Sequence, residues 1–480
     1  MTRIEGGTVG HALTRESITH ALSSRRSRDL LTVWAILFLT SGQGFRYLLG
    51  MPIYIGLAIL TIVAVVVAFR PTLWSLRPPL LIAAFVGLAT ASTLWSVARG
   101  VTLLASIVMI ATTVIAVVTV RGTSNRRFMV LLYRSLQISL ALGIIFELVV
   151  ATVVRDRLTP LVSDLIDAGQ VDTEATPIIW SEGWLFEGGP IQGFVGNRNP
   201  FGMIALLTGI LAFVLLLEGV LSKTDAIVTL VAAIGVHALT MSATVSVAVL
   251  VVIGLLAASF VIRRTVGRTK RILSFSFLAI SAIGVVLVLK YRDEIFAMFD
   301  RRSDFTNRTF IWEEVVHYAT QRPEGWGFVG YWPVWQEPYS DIVVSVNEQS
   351  HWPTLPTHAH NAFLDAWFQL GLIGLGLLLV IVVLMFGSAW RLVERAERGD
   401  TYIPLGWALL GAVIAVQSLT ESRMLVESGW YLLVALYLMA PQVFTLTIVD
   451  PNLVHHGRPL ETRPHRVTEQ RAERDSSHAS

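Results

Sequence analysis

The sequence predicts an all-α, polytopic membrane protein with about twelve transmembrane helices, and three observations support this fold class. Hydrophobic residues make up 54% of the 480-residue chain and charged residues only 15%, whereas charged residues make up about a quarter of a soluble domain. Uncharged apolar runs of the length that crosses a bilayer recur along most of the chain. Lysine and arginine gather in alternate segments between these runs, as they do in short cytoplasmic loops.

The apolar runs give the candidate spans in chain order. They lie at roughly 30–45, 52–69, 79–97, 101–120, 128–153, 199–217, 225–241, 243–262, 273–290, 361–387, 402–419 and 427–446. The first run ends in TSGQG rather than in a small-residue cleavage site, so we expect it to remain as a span and not to be removed with a signal peptide. Residues 30–446 are therefore predicted to form one transmembrane domain.

The basic clusters orient these spans. If the N-terminus is cytoplasmic, most of the 37 lysines and arginines fall on the cytoplasmic side, where such residues accumulate. We expect residues 1–29 to form a cytoplasmic N-terminal segment and the polar residues 447–480 to form a disordered cytoplasmic tail. The chain has no cysteine, which excludes disulfides and thiolate metal sites. The net charge of +3 says little about partners, because the charge is concentrated on one face of the membrane. For a chain this apolar, membrane lipids are expected partners and nucleic acid is not.

Two predicted external segments are too long to be simple turns. They cover about 154–198 and about 291–359, the second lying between spans nine and ten, and structureless loops of that length are uncommon unless they are functional. We therefore expect any chemistry to lie in these two loops. From Tyr331 to Leu355 the sequence predicts no regular element.

The second external segment contains a predicted helix over residues 307–321, ended by the Arg-Pro pair that follows. Arg308, Ile311, Trp312 and Val315 share one face of that helix by their spacing. The pattern predicts that Arg308 lies in the first turn and that the apolar face rests on the membrane surface.

Span ten begins with polar residues, which are costly at the mouth of a membrane helix unless they are paired or used. His360 lies at or just before the first turn, where the helix dipole disfavours the imidazolium form and leaves a neutral ring able to accept a proton. Asn361 and Asp365 are four residues apart and share one helical face. Asp365 either orients the imidazole or pairs with a neighbouring helix. The alternative for His360 is an interfacial histidine without a chemical role.

Two other constellations have competing interpretations. His351, His358 and His360 offer imidazoles, but a metal site needs three or four convergent ligands, and we expect none. Among the external arginines, Arg301 and Arg302 are interpreted as contacts to anionic lipid headgroups. Arg308 and Arg198 are candidate ligands for phosphate oxygens, and Asn197 and Asn199 lie at the start of span six, where capping alone would explain Asn199.

Three stretches together resemble the O-antigen ligase and polysaccharide polymerase superfamily of bacterial inner membranes. GFVGNRNPFGMIAL is similar to a Gly-Asn-x-Asn motif that opens a span. TNRTFIWEEVVHYATQRPEGWGFVG is similar to a Gly-Arg-x-x-x-Trp helix followed by proline and a Gly-aromatic-Gly turn. HNAFLDAWFQLGLIGLG is similar to a His-Asn-x-x-Leu signature followed by two spaced glycines. Their order and the long loop between spans nine and ten extend the resemblance over roughly residues 30–446.

The resemblance implies a membrane glycosyltransferase that moves glycan from an undecaprenyl diphosphate carrier to an acceptor hydroxyl, on a glycan or a lipid, at the external face of the cytoplasmic membrane. It implies no metal, no cofactor and no nucleotide sugar, with Arg308 binding the diphosphate and His360 serving the acceptor. The same motifs make substrate-binding candidates of Arg198, Asn197, Asn199, Trp312, Asn361 and Asp365. Proteins of envelope polysaccharide assembly are possible partners. Ligase and polymerase stay undecided, because they differ in the acceptor.

Two departures from the family pattern stand out. Where members often carry Ser-Arg-Thr or Ser-Arg-Ser near span eight, this chain reads MSATVS over 241–246, with no cation. A second diphosphate ligand then has to come from elsewhere, for example Arg198. Asn307 stands where glycine usually precedes the arginine, which affects the turn. A transporter or flippase of lipid-linked oligosaccharide is the alternative function, and a silent scaffold is a third. The absence of an internal repeat and the polar external loops favour an enzyme.

Overall fold

The computed structural model describes residues 24–73, 79–162, 178–291, 306–350, 355–396 and 400–439. Over these residues the fold is all-α, as predicted, and the pairing of extended backbone is limited to an isolated bridge between Leu158 and Ser181. The predicted cytoplasmic tail, most of the N-terminal segment, Arg301, Arg302 and His351 lie outside the described residues. All described residues belong to one compact unit.

Most described helices overlap the predicted spans, although α1 begins at Arg25 instead of residue 30 and α2 begins at Gly42 instead of residue 52. In chain order they are α1 (Arg25–Thr40), α2 (Gly42–Ala68), α3 (Arg70–Leu73), α4 (Leu80–Ala91), α5 (Arg99–Arg121), α6 (Asn125–Val149), α7 (Arg198–Leu217), α8 (Lys223–Thr240), α9 (Ala243–Ile262), α10 (Gly267–Lys290), α11 (Thr306–Gln321), α12 (Tyr339–Ser350), α13 (Ala362–Arg395), α14 (Ile403–Ser418) and α15 (Glu427–Met439). Short helical turns follow α4 at Ser92–Leu94 and α6 at Val150–Val154, and a third precedes α15 at Arg423–Leu425.

Seven of the described helices are long and apolar enough to cross a bilayer, so the chain is a multi-pass membrane protein. They are α2, α5, α6 with its following turn, α7, α8, α9 and α13, while α4 with its turn and α14 are apolar but shorter. The count of about twelve spans stays a prediction, as does the direction in which they cross.

Side-chain caps explain where several helices begin. The hydroxyls of Ser24, Ser222 and Ser242 accept hydrogen bonds from the backbone N–H three residues later, at α1, α8 and α9. The amide oxygen of Asn197 caps α7 by accepting from the Asn199 N–H, and that of Asn361 caps α13 by accepting from the N–H groups of Phe363 and Leu364. Serine and asparagine suit this position because their oxygen satisfies an N–H that the helix leaves unpaired.

A break in α13 fixes the segment after α11 to the membrane helices. Gly371 has φ of 65° inside the helix, and a Cβ there would lie 1.9 Å from the Pro323 carbonyl oxygen. The break frees the carbonyls of Phe368 and Gln369, which accept hydrogen bonds from the N–H groups of Trp326 and Gly327, each at 2.9 Å. Only glycine fits both the positive φ and the close approach, so this position sets where the loop after α11 lies.

The region from α11 to α12 differs from the sequence prediction in two respects. The apolar face of α11 does not rest on the membrane surface, because Ile311 and Val315 are buried in a protein core with Trp332, Tyr339 and Phe368. In addition, part of the stretch that had no predicted element forms α12 (Tyr339–Ser350), which packs in that same core. Periodicity gives the apolar side of a helix but not the surface that covers it.

Candidate active site

The candidate site is built around Glu421, a buried carboxylate in the loop between α14 and α15. Its Oε1 accepts hydrogen bonds from Arg308 Nη2 and Asn199 Nδ2, both at 2.9 Å. Its Oε2 lies 3.4 Å from Nδ1 of His360. One carboxylate therefore joins the first turns of α7 and α11 with the start of α13, which lie far apart in the sequence.

Arg308 is held firmly in the first turn of α11. Its side chain is 9% exposed and forms an ion pair with Glu421, whose side chain is 6% exposed. Its Nη1 also donates to the Thr420 carbonyl oxygen at 2.6 Å. Because a buried charge is tolerated only when it is paired and hydrogen-bonded, this geometry fixes the guanidinium in one orientation.

His360 occupies a strained backbone position immediately before α13. Its φ is 49°, in the left-handed region that residues other than glycine adopt at a cost of about 1–3 kcal/mol. The ring is half-buried, with a side-chain exposure of 28%, and stacks edge-on against His358 with centroids 4.1 Å apart. Strain held by the surrounding structure is common at functional sites, and here it turns the imidazole towards Glu421.

Three asparagine candidates have defined contacts. Asn361 caps α13, and it fixes the Glu421 loop because its N–H donates to Ser422 Oγ at 3.3 Å and its Nδ2 to the Leu419 carbonyl at 3.3 Å. Asn199 bridges two elements, since its Oδ1 accepts from Ser242 Oγ at 2.8 Å while its Nδ2 donates to Glu421. Asn197 is exposed and caps α7, and Arg198 is half-buried in the first turn of that helix.

Asp365 does not contact the imidazole of His360. Its Oδ1 accepts hydrogen bonds from Trp332 Nε1 at 3.0 Å and Gln369 Nε2 at 2.8 Å, and its Oδ2 lies 3.4 Å from the N–H of Ala359. Trp312 acts on the same segment, because its Nε1 donates to the Ala359 carbonyl at 2.9 Å. Of the two interpretations that the sequence left open, the structure thus favours pairing with neighbouring elements over contact with His360.

Changing Asp365 to asparagine is expected to destabilise the protein by about 1–3 kcal/mol, because one amide oxygen replaces a carboxylate that accepts from several buried donors. Melting of the purified protein in detergent measures this loss. The matched control is Asp341→Asn, at an exposed acid of α12, which should leave the melting temperature within about 1 °C. An unchanged melting temperature for Asp365→Asn would contradict the structural role.

The surroundings of His360 set the protonation states of Glu421 and His358. Burial alone would raise the pKa of Glu421, but the adjacent His360 and Arg308 lower it, so the carboxyl stays ionised. Removal from water, with the neighbouring His360, lowers the pKa of His358 well below its usual range. His358 is therefore neutral, and its Nδ1 accepts a hydrogen bond from the His360 N–H at 3.1 Å.

His358, His360 and Glu421 also form the grouping in the described residues that most resembles a metal site. One ligand atom from each lies within 4.8 Å of the others. The sequence grouped His358 and His360 with His351 and did not show that Glu421 converges on the first two. Arg308 already occupies Glu421, and a guanidinium in that position opposes a cation, so we do not assign a metal here.

Glu421 and the Thr420 carbonyl were not among the residues selected from the sequence. A usable signal was present: the segment SLTESRMLVESG over 418–429 places two acids and an arginine in a short connection between apolar runs. Acids beside membrane helices are functional candidates by default. What the sequence did not show is that this segment folds back onto Arg308 and His360.

Comparison with known proteins bears on the family. A family model described as O-antigen ligase matches residues 228–379, which include Arg308, His360, Asn361 and Asp365. The resemblance to the O-antigen ligase family is confirmed. The chain is also 30% identical over 130 residues to the exopolysaccharide production protein ExoQ of Rhizobium meliloti (strain 1021). That match covers 27% of this O-antigen ligase-like chain and 29% of ExoQ, so less than a third of the relative is spanned.

Proposed function

We propose that this O-antigen ligase-like protein is a glycosyltransferase that moves a glycan from an undecaprenyl diphosphate carrier to an acceptor hydroxyl at the external face of the bacterial cytoplasmic membrane. The observation that carries the proposal is the arrangement of Arg308 and His360 on opposite oxygens of Glu421, at 2.9 Å and 3.4 Å. A fixed cation and a basic imidazole are the two groups that displacement of a diphosphate by an alcohol requires.

The proposed reaction is a single displacement. The acceptor oxygen attacks the anomeric carbon and loses its proton to His360, while the bond from that carbon to the diphosphate oxygen breaks. The lipid diphosphate leaves with the electron pair, and Arg308 stabilises its growing negative charge. Guanidinium suits this role because it stays charged and can bind phosphate oxygens through two parallel donors.

Glu421 supports the assignment of the base. An ionised carboxylate only accepts hydrogen bonds, so the ring nitrogen facing it, Nδ1 of His360, carries the proton. The lone pair is then on Nε2, which is the atom we assign to the acceptor hydroxyl. The 3.4 Å contact is longer than a well-formed hydrogen bond, and such contacts commonly tighten when substrate binds.

The test is glycan transfer by the purified full-length protein in proteoliposomes containing undecaprenyl diphosphate oligosaccharide and a panel of glycan and lipid acceptors. We expect acceptor-dependent formation of a longer or newly linked glycan, at a rate that excess EDTA leaves unchanged. Translocation of the labelled donor across the bilayer without any new glycosidic bond would instead establish a flippase. The absence of both activities would leave a scaffold role and would overturn the proposal.

A further inference from the structure

The described residues include a guanidinium beside the proposed site that the reaction scheme does not yet use. Arg423 follows Glu421 by two residues, in the short turn Arg423–Leu425. It is half-buried, and its side chain forms no hydrogen bond or ion pair with the part of the chain that the structure describes. Three other arginines form ion pairs with carboxylates: Arg46 with Glu427, Arg308 with Glu421 and Arg322 with Glu324.

The backbone that carries Arg423 is fixed on both sides. Before it, Ser422 Oγ accepts the N–H of Asn361, the residue after His360, at 3.3 Å. After it, Met424 and Leu425 are each 2% exposed, and a Cβ on Gly429 would lie 1.9 Å from the Arg423 carbonyl oxygen. The turn is thus packed on the membrane helices and tied to the mouth of α13, so it can present a charge at a defined place.

The net charge of the proposed site shows why a diphosphate needs a further cation there. Arg308 and Glu421 are a buried pair with no net charge, whereas a lipid diphosphate carries at least two negative charges that must leave water with it. Transfer of uncompensated charge into a site of low dielectric is unfavourable by several kcal/mol. The arriving diphosphate therefore requires positive charge that is not already neutralised by the protein.

We propose that Arg423 is a second diphosphate-binding residue, which holds the distal phosphate while Arg308 holds the phosphate next to the sugar. This inference rests on the proposed function for the identity of its ligand. Arg423 lies close enough to His358 to affect it: burial and His360 lower the pKa of His358, Glu421 raises it, and the charge of Arg423 lowers it further by a smaller amount. The guanidinium therefore acts on the same cluster as the candidate base.

The experiment measures binding of farnesyl diphosphate, a short prenyl diphosphate, to the full-length protein in phosphatidylcholine nanodiscs. Arg423→Gln should weaken binding about ten- to a hundredfold, because one charge-assisted contact to phosphate is lost. Arg423→Lys should keep part of the affinity. Farnesyl monophosphate should bind wild-type protein and Arg423→Gln with similar affinities, because the distal phosphate is absent.

The matched control is Arg157→Gln, at an external arginine whose exposed side chain pairs with Glu182 at 2.8 Å, and it should bind as wild type does. Equal binding of farnesyl diphosphate by wild type and Arg423→Gln, within twofold, would overturn the inference even if glycan transfer is established. Loss of binding in Arg423→Gln would support it even if no transfer is found. If phosphatidylglycerol competes with farnesyl diphosphate in wild type but not in Arg423→Gln, Arg423 binds lipid headgroups and the inference is wrong.

Discussion

Replacing His360 by alanine is expected to lower the rate of glycan transfer by about a hundred- to ten-thousandfold, the usual contribution of a positioned general base. Replacing Arg308 by alanine should lower it by at least about a hundredfold, because the leaving diphosphate then loses its fixed cation. Initial rates in proteoliposomes, at saturating donor and acceptor, measure both losses. Since each residue acts on the transition state, the losses should fall mainly on kcat.

The controls for these variants lie in α11 and immediately after it. His317→Ala removes an exposed histidine of α11 that contacts Gln321, and Arg322→Ala removes an arginine that pairs with Glu324. Both should retain transfer within about twofold. If His360→Ala keeps its activity while His358→Ala loses it, the base is His358 and our assignment is wrong. If Arg308→Ala transfers normally, the diphosphate is bound elsewhere.

Replacing Glu421 by alanine is expected to have two large effects. The free energy of unfolding should fall by about 3–5 kcal/mol, because Arg308 is left buried without its counter-ion. Transfer should be lost as well, because the same carboxylate orients His360 and contacts Asn199. Glu421→Gln keeps the shape and one acceptor oxygen, so it should fold better than Glu421→Ala while still impairing transfer. Chemical denaturation and initial rates measure the two effects separately.

A double-mutant cycle separates a shared role from simple destabilisation. Glu421 and Arg308 act as one unit in our scheme, so Glu421→Gln combined with Arg308→Ala should lose much less activity than the sum of the single changes. The control is Asp225→Asn. Asp225 forms an ion pair of 2.8 Å with Arg134, and it lies in the first turn of α8, whereas Ser242 lies beyond the last turn of that helix. This change should lower stability but leave transfer intact. Full activity of Glu421→Gln would contradict the orienting role.

The sequence predicted most helices because their formation depends on residues that are close together in the chain. Apolar runs gave spans whose bounds differ from α7, α9 and α14 by one residue or none at each end, since a helix in lipid must satisfy its own backbone hydrogen bonds. The α11 helix and its end before Pro323 were also predicted. The α12 helix was not predicted, because its stability comes from packing against α11 in a common hydrophobic core, and helix propensity alone is a weak signal.

The same distinction between local and long-range contacts applies to the candidate site. The sequence by itself determined a multi-pass all-α protein that resembles O-antigen ligases over residues 228–379. It also selected Arg308, His360 and Asn199 through motifs within single elements. Only the tertiary structure brought these three onto Glu421, placed Asp365 on Trp332 and covered the apolar face of α11 with protein. The physical reason is range: caps, spans and helical faces depend on residues a few positions apart, whereas a buried ion pair depends on which distant segments share the same desolvated space.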